Sequence, residues 1–210
     1  LEHKSKIERL KELLQQPLPG MAAQERMAGR VLPMPDEIPA NARPSAVLCL
    51  LFPKNDILQL LLIRRTADGR PHSGQIGFPG GSMDPTDTDL RATALREANE
   101  EVGIMSGEVE ILGALTALYI PVSNFRVFPY VAYAKEPPVY NISHYEVAHT
   151  LEIPMLEFMI PERRIITDVI SPARPEKIRN VPAYQLEDGT IIWGATAMII
   201  SELEMLMQGL

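Results

Sequence analysis

Three glutamates, Glu97, Glu100 and Glu101, set the chemistry this 210-residue chain can do. On a helix, residues three and four apart share a face with Cβ atoms about 5–6 Å apart, so Glu97 lies beside both of the others. Like charges at that spacing repel, and their concentration calls for a compensating cation. Mg²⁺ or Mn²⁺ is the natural candidate, because hard divalent ions prefer carboxylate oxygen and water. The alternative is an exposed helix face with ordinary charges. Arg96 lies one turn before Glu100 and can hold it by a hydrogen bond. Gly80 and Gly81, upstream, let a backbone approach ligand and metal with no side chain intervening.

The elements around these acids must hold them in place. Leu90, Ala94, Leu95, Ala98 and Val102 form an apolar stripe that would bury the helix against a sheet and turn the acids outward, and Gly103 ends the helix. Ahead of it, 45–52 and 57–65 read as a strand pair joined across Pro53 to Asp56. Strand alternation should turn only one of Arg64 and Arg65 toward the acids. After the helix, 109–119, 125–134 and 146–153 read as strands and 155–162 as a loop and helix. Next, 165–169 and 183–192 read as a late strand pair with a turn at Asp188-Gly189, and 196–207 as a closing amphipathic helix. An amphipathic helix at 7–14 and an irregular arm over 20–44 precede the domain, so the expected division is 1–44 as appended arm and 45–210 as one domain. The order of elements indicates an α/β fold with helices on both faces of a mixed sheet.

The run from Arg96 to Ile104 resembles, residue for residue, the second half of the Nudix box. In the first half, Asp87 stands where that family usually has Glu, with one extra residue before Arg96. Leu61 to Arg65 and Arg70 to Gly81 resemble the additional motif of the coenzyme A pyrophosphatase branch, and Trp193 to Ala197 is similar to that branch as well. The resemblance implies the Nudix fold, an α/β/α sandwich around a mixed sheet. It also implies a hydrolase that uses Mg²⁺ or Mn²⁺ to cleave coenzyme A or its derivatives into 4′-phosphopantetheine and adenosine 3′,5′-bisphosphate. Other outcomes are a Nudix hydrolase of ADP-ribose or a dinucleotide, or a ligand sensor of the same fold without catalysis.

By the family's motif, Glu97 and Glu101 are metal ligands, and Glu100 is a further ligand or an acceptor from a metal-bound water. Glu146 resembles a downstream acid that serves as general base; the alternative is a solvated loop acid. Arg64, Arg65 and Arg70 are candidates for phosphate contacts, because guanidinium offers a planar fork that fits phosphate oxygens. His72 and Gln75 either touch substrate or pin their loop. Trp193 either stacks on an adenine or packs on the last helix.

Composition narrows the partners. A net charge of −7 without a basic block argues against holding nucleic acid through its phosphates. The chain has no apolar run long enough for a membrane span, and its charged, amphipathic start is unlike a signal peptide. The single Cys49 allows no intrachain disulfide, which is compatible with a cytoplasmic location. The N-terminal helix leaves homodimer contacts open.

Overall fold

Two strands of nearly continuous apolar residues cannot be buried by one core. In the computed structural model, which describes residues 2–67, 73–170 and 177–210, β1 (Arg43–Lys54) and β2 (Ile57–Arg65) pair antiparallel, Leu51 opposite Leu60 and Lys54 opposite Ile57. Asn55 and Asp56 both take positive φ, as a tight two-residue hairpin turn requires. Side chains alternate along each strand. Ala46, Leu48, Leu50, Phe52, Leu61 and Ile63 enter one core; Cys49, Leu51, Leu58, Leu60 and Leu62 enter the other.

Each core has its own helical cover. α3 (Leu90–Val102) closes the first through Ala94, Ala98 and Val102. The second is closed by α5 (Gly194–Met207) through Ala197, Ile200 and Leu203, together with α4 (Met155–Met159) and α1 (Glu2–Leu13). α/β/α layering is therefore the direct consequence of a sheet apolar on both faces.

The strand order positions the glycines. β7 (Phe125–Ala134) runs parallel to β1 along one edge, from Arg43 opposite Phe125 to Leu51 opposite Tyr133. β5 (Val109–Ala114) and β6 (Leu118–Ile120) pair antiparallel with β7, and β8 (Val147–Pro154) lies along the outer edge of β2. With those edges taken, β1 and β2 face each other only over 51–54 and 57–60 before they part. The split is filled by β3 (Ile76–Gly77) on Ile63 and Arg64 and by β4 (Gly80–Ser82) on Ser45 to Val47. A wedge of glycines is thus driven into the sheet beside α3.

Three expectations need correction. The strand expected over 109–119 is two, because the ladder shifts between Ile111 and Gly113 and Thr116 turns its N–H and hydroxyl to the buried Glu202 carboxylate instead of a neighbouring strand. The late strand pair is a three-stranded sheet: β9 (Arg164–Ile170), β10 (Lys177–Gln185) and β11 (Ile191–Trp193), with β10 in the middle. The arm over 20–44 is partly helical. It contains α2 (Met21–Glu25), whose Ala23 carbonyl accepts from Ser201 Oγ at 2.7 Å, while Gln24 and the Gly20 N–H donate to Glu202.

Candidate active site

Glu101 is the centre of the site, and it points inward. Its spacing explains this: Glu101 is seven residues after Ala94 and three after Ala98, so it shares their buried stripe, and only 1% of the residue is exposed. The expectation that all three acids turn outward is corrected by this residue. Its Oε1 accepts from Arg65 Nη1 at 2.9 Å and its Oε2 from the Gly80 N–H at 2.8 Å, while Arg65 Nη2 donates to the Gly80 carbonyl at 2.8 Å. Burial pushes the Glu101 carboxyl up to about 7; Arg65 and the Gly80 N–H pull against that, and the charges of Glu97 and Glu146 add to it.

Glu97 lies one turn earlier and over Gly81. A β-carbon at residue 81 would sit 2.5 Å from the Glu97 carboxyl carbon, so only glycine leaves room for that carboxylate. Burial raises the Glu97 carboxyl, Arg96 opposes, and Glu100 and Glu146 reinforce the rise. The more exposed Glu100, with 59% of its side chain accessible, accepts from Arg96 Nη1 at 3.0 Å as the i, i+4 spacing predicts.

Arg96 does more than hold Glu100. Its Nε and Nη2 donate to Asp87 Oδ1 and Oδ2 at 2.9 and 3.0 Å, Nη2 also reaches the Ser82 carbonyl at 3.1 Å, and Nη1 meets Glu97 Oε1 at 2.9 Å. This fork and its companion bond from Thr93 Oγ1 hold the Asp87 carboxyl far below the usual carboxylate range. Asp87 is a residue whose part the motif comparison did not supply; the signal was its position, close enough to the start of the helix to meet Arg96.

The structure therefore brings Glu97, Glu101, Glu146, Arg65, Gly80 and Gly81 to one place. Glu146 is half-buried at the start of β8, near enough for its charge to raise both Glu97 and Glu101. Arg64 lies one residue away on β2, and its Nη1 donates to the Gly74 carbonyl at 3.1 Å. Alternation thus selects Arg65 for the acids. Gln75 sits in the same loop, its carbonyl accepting from the Arg65 N–H at 3.0 Å. Arg70 and His72 lie outside the described residues. Trp193 immediately precedes α5 and is half-buried.

Among the described residues no three His, Cys, Asp or Glu side chains form a closed ligand cluster. The donor chemistry nevertheless fits a hard divalent cation. The charges of Glu97 and Glu146 disfavour ionisation of Glu101, that of Glu146 disfavours ionisation of Glu97, Arg65 offsets only part of the charge at Glu101, and Gly81 keeps a cradle open beside Glu97.

A mixed sheet between helices, with a glycine wedge under a glutamate-rich helix, defines an α/β/α fold that carries an acidic site suited to a divalent cation. The NUDIX domain family matches residues 42–152, from the start of β1 through most of β8, and the chain belongs to that family. Nudix hydrolases act on pyrophosphate bonds, in nucleoside diphosphate derivatives, and generally use divalent metal ions. A protein of Yersinia enterocolitica described as an uncharacterized Nudix hydrolase, NudL, is 36% identical over 171 residues, covering 81% of this chain and 85% of its own. A NudL of Pectobacterium atrosepticum is 39% identical over 144 residues, covering 69% and 72%. Among solved structures, a MutT protein from Methanosarcina mazei Go1 superposes with a TM-score of 0.51 over 80% of this chain and 96% of its own. Its identity is 18%, so the likeness is one of fold.

Proposed function

We propose that the chain hydrolyses the pyrophosphate bond of coenzyme A or its derivatives, releasing 4′-phosphopantetheine and adenosine 3′,5′-bisphosphate, with Mg²⁺ or Mn²⁺. The observation that carries the reading is the bonding of the upstream motif to the acids. Arg65, from the motif's first part, holds both the Glu101 carboxylate and the Gly80 carbonyl, and Arg64 holds the loop at Gly74. The described part of the stretch that resembles the coenzyme A branch, 61–65 and 73–81, supports the reading by lying beside Glu101.

Glu97 and Glu101 would hold the cation, with Glu100 at the exposed margin. When bound, a divalent cation screens adjoining phosphates, acidifies a water and neutralises the leaving oxygen. The chain's own groups do the rest. Gly80 and Gly81 let the substrate's phosphates approach backbone, and Arg65 orients Glu101 and opposes the rise that burial imposes on its carboxyl. Glu146 accepts the proton of the attacking water. Arg96 is a positioning residue that sets Glu97 and Glu100.

The test is product analysis after incubating the purified protein with coenzyme A and Mg²⁺ or Mn²⁺, with a chelator control. Metal-dependent release of the two named products is expected. Intact coenzyme A beside turnover of ADP-ribose or a dinucleotide would move the proposal to another substrate.

A further inference from the structure

Thr66, the first residue after β2, uses all its polar groups to join two segments that flank the acids. Its carbonyl accepts from the Gly74 N–H and from Ser73 Oγ, both at 3.1 Å. Its N–H donates to the Glu146 carbonyl at 3.0 Å, and its Oγ1 donates to the Tyr145 carbonyl at 3.0 Å. The upstream loop and the turn carrying Glu146 therefore meet on one side chain and its peptide.

The other end of that turn is fixed by α3 itself. The last carbonyls of a helix have no intrahelical partner. Here the Glu101 carbonyl accepts from the Ser143 N–H at 2.9 Å and the Val102 carbonyl from the Asn141 N–H at 3.0 Å. The Ser143 carbonyl in turn accepts from the N–H groups of Glu146 and Val147 at 3.0 and 2.9 Å. The bonds close a ring: Glu101 carbonyl, Ser143, Glu146, Thr66, Arg65, and back to the Glu101 carboxylate. Glu101 is held at both its ends, and the spacing between Glu101 and Glu146 is set by that ring.

We propose that Thr66 is a positioning residue for Glu146, its hydroxyl fixing the 143–147 turn so that the Glu146 carboxylate faces Glu97 and Glu101. This rests on Glu146 serving as the base of the proposed hydrolysis, and it deepens that reading. A misplacement of roughly 1 Å is enough to cost a catalytic group its efficiency, and the bonds to α3 fix only one end of the turn. The second anchor, from the strand that already carries Arg65, removes that freedom.

The test compares Thr66→Val, which keeps the shape and removes the hydroxyl donor, with Thr66→Ser, which retains the donor. Amide hydrogen exchange of the metal-free protein is the readout that needs no substrate. Exchange over 143–147 is expected to quicken about 3- to 10-fold in the Val variant, the range one hydrogen bond commands, and to return toward the parent rate in the Ser variant. With whichever diphosphate the parent cleaves, Thr66→Val is expected to lower kcat about 3- to 10-fold with KM within about twofold. On a Glu146→Gln background the same substitution should have no further effect on kcat. Unchanged exchange in Thr66→Val overturns the pin. Quickened exchange with a kcat loss that persists on the Glu146→Gln background overturns the route through Glu146. If the parent cleaves no diphosphate, the hydrolysis reading and the role of Glu146 as base both fall, while the exchange result still decides whether Thr66 fixes the turn.

Discussion

Gly81→Ala separates the shape of the site from the stability of the fold. The β-carbon it adds would lie 2.5 Å from Glu97 Cδ and Oε2 and 2.6 Å from Oε1. Comfortable contact is about 3.5 Å, so the carboxylate must retreat by roughly 1 Å. What moves is the end of a flexible side chain, at a conformational cost of about 1 kcal/mol, and Gly81 is not among the positive-φ glycines. The thermal midpoint should therefore fall by no more than about 4 °C. Function should suffer far more: a displacement of this size at a reacting centre costs about 100-fold, or ~2.7 kcal/mol of transition-state stabilisation. The assay is kcat/KM for metal-dependent diphosphate hydrolysis alongside a thermal melt. A kcat/KM within about threefold of the parent would refute the placement of Glu97 as a ligand that needs this cradle. A melt lowered by 10 °C or more would show the added carbon to be disturbing the sheet instead.

Gly80→Ala should show the opposite pattern, because its β-carbon would meet backbone, at 2.3 Å from the Ala46 carbonyl oxygen and 2.7 Å from Val47 Cα. A loss of about 3 kcal/mol or more is expected, read as a midpoint lowered by roughly 6–12 °C. Glu101→Gln should fold yet lose turnover by at least about 100-fold, checked by steady-state assay; retained turnover would remove Glu101 from the ligand set. Asp87→Asn should destabilise the protein by about 1–2 kcal/mol at pH 7, since it breaks the two-pronged bond to Arg96. Because the folded Asp87 carboxyl is held below its unfolded value, its contribution is fully present above pH ~4 and is lost as pH falls through the folded value. Urea melts of parent and variant should therefore converge on acidification below pH ~4; a gap that widens there would contradict the ion pair.

Much of the fold could be read from local pattern. The strand pair at 45–52 and 57–65 is present because its apolar runs flank a turn of Asn55 and Asp56; alternation said that only one of Arg64 and Arg65 would face the acids, and the structure shows it to be Arg65. Long-range polar satisfaction was harder to read. Nothing local to 109–119 reveals that Thr116 will turn away from its strand to a carboxylate 86 residues later. The burial of Glu101 was hidden for a different reason. Its place on the stripe of Ala94 and Ala98 was visible in the spacing, but a charged residue reads as solvent-facing until a partner is known, and the partner comes from another element, β2.

The same long-range logic explains how a lengthened segment before the helix leaves the acids in register. Relative to the family pattern it resembles, the chain has one extra residue between the glycines and Arg96, and a helix lengthened by one residue would rotate its face by about 100°. The structure takes up the difference ahead of Leu90. Asp84 accepts from the N–H and hydroxyl of Thr86, the Asp84 N–H donates to Asp87, and Asp89 caps the helix by accepting from the Ala92 N–H at 2.7 Å. Asp87 then ties this folded turn to Arg96, two turns into the helix, while Arg96 also reaches the Ser82 carbonyl at the end of the glycine strand. One guanidinium thus fixes the glycines, the turn and the helix relative to one another. Arg96 consequently governs where Glu97 and Glu100 stand. Its replacement by lysine, which cannot span Asp87 and Ser82 with a planar fork, would disturb both acids together.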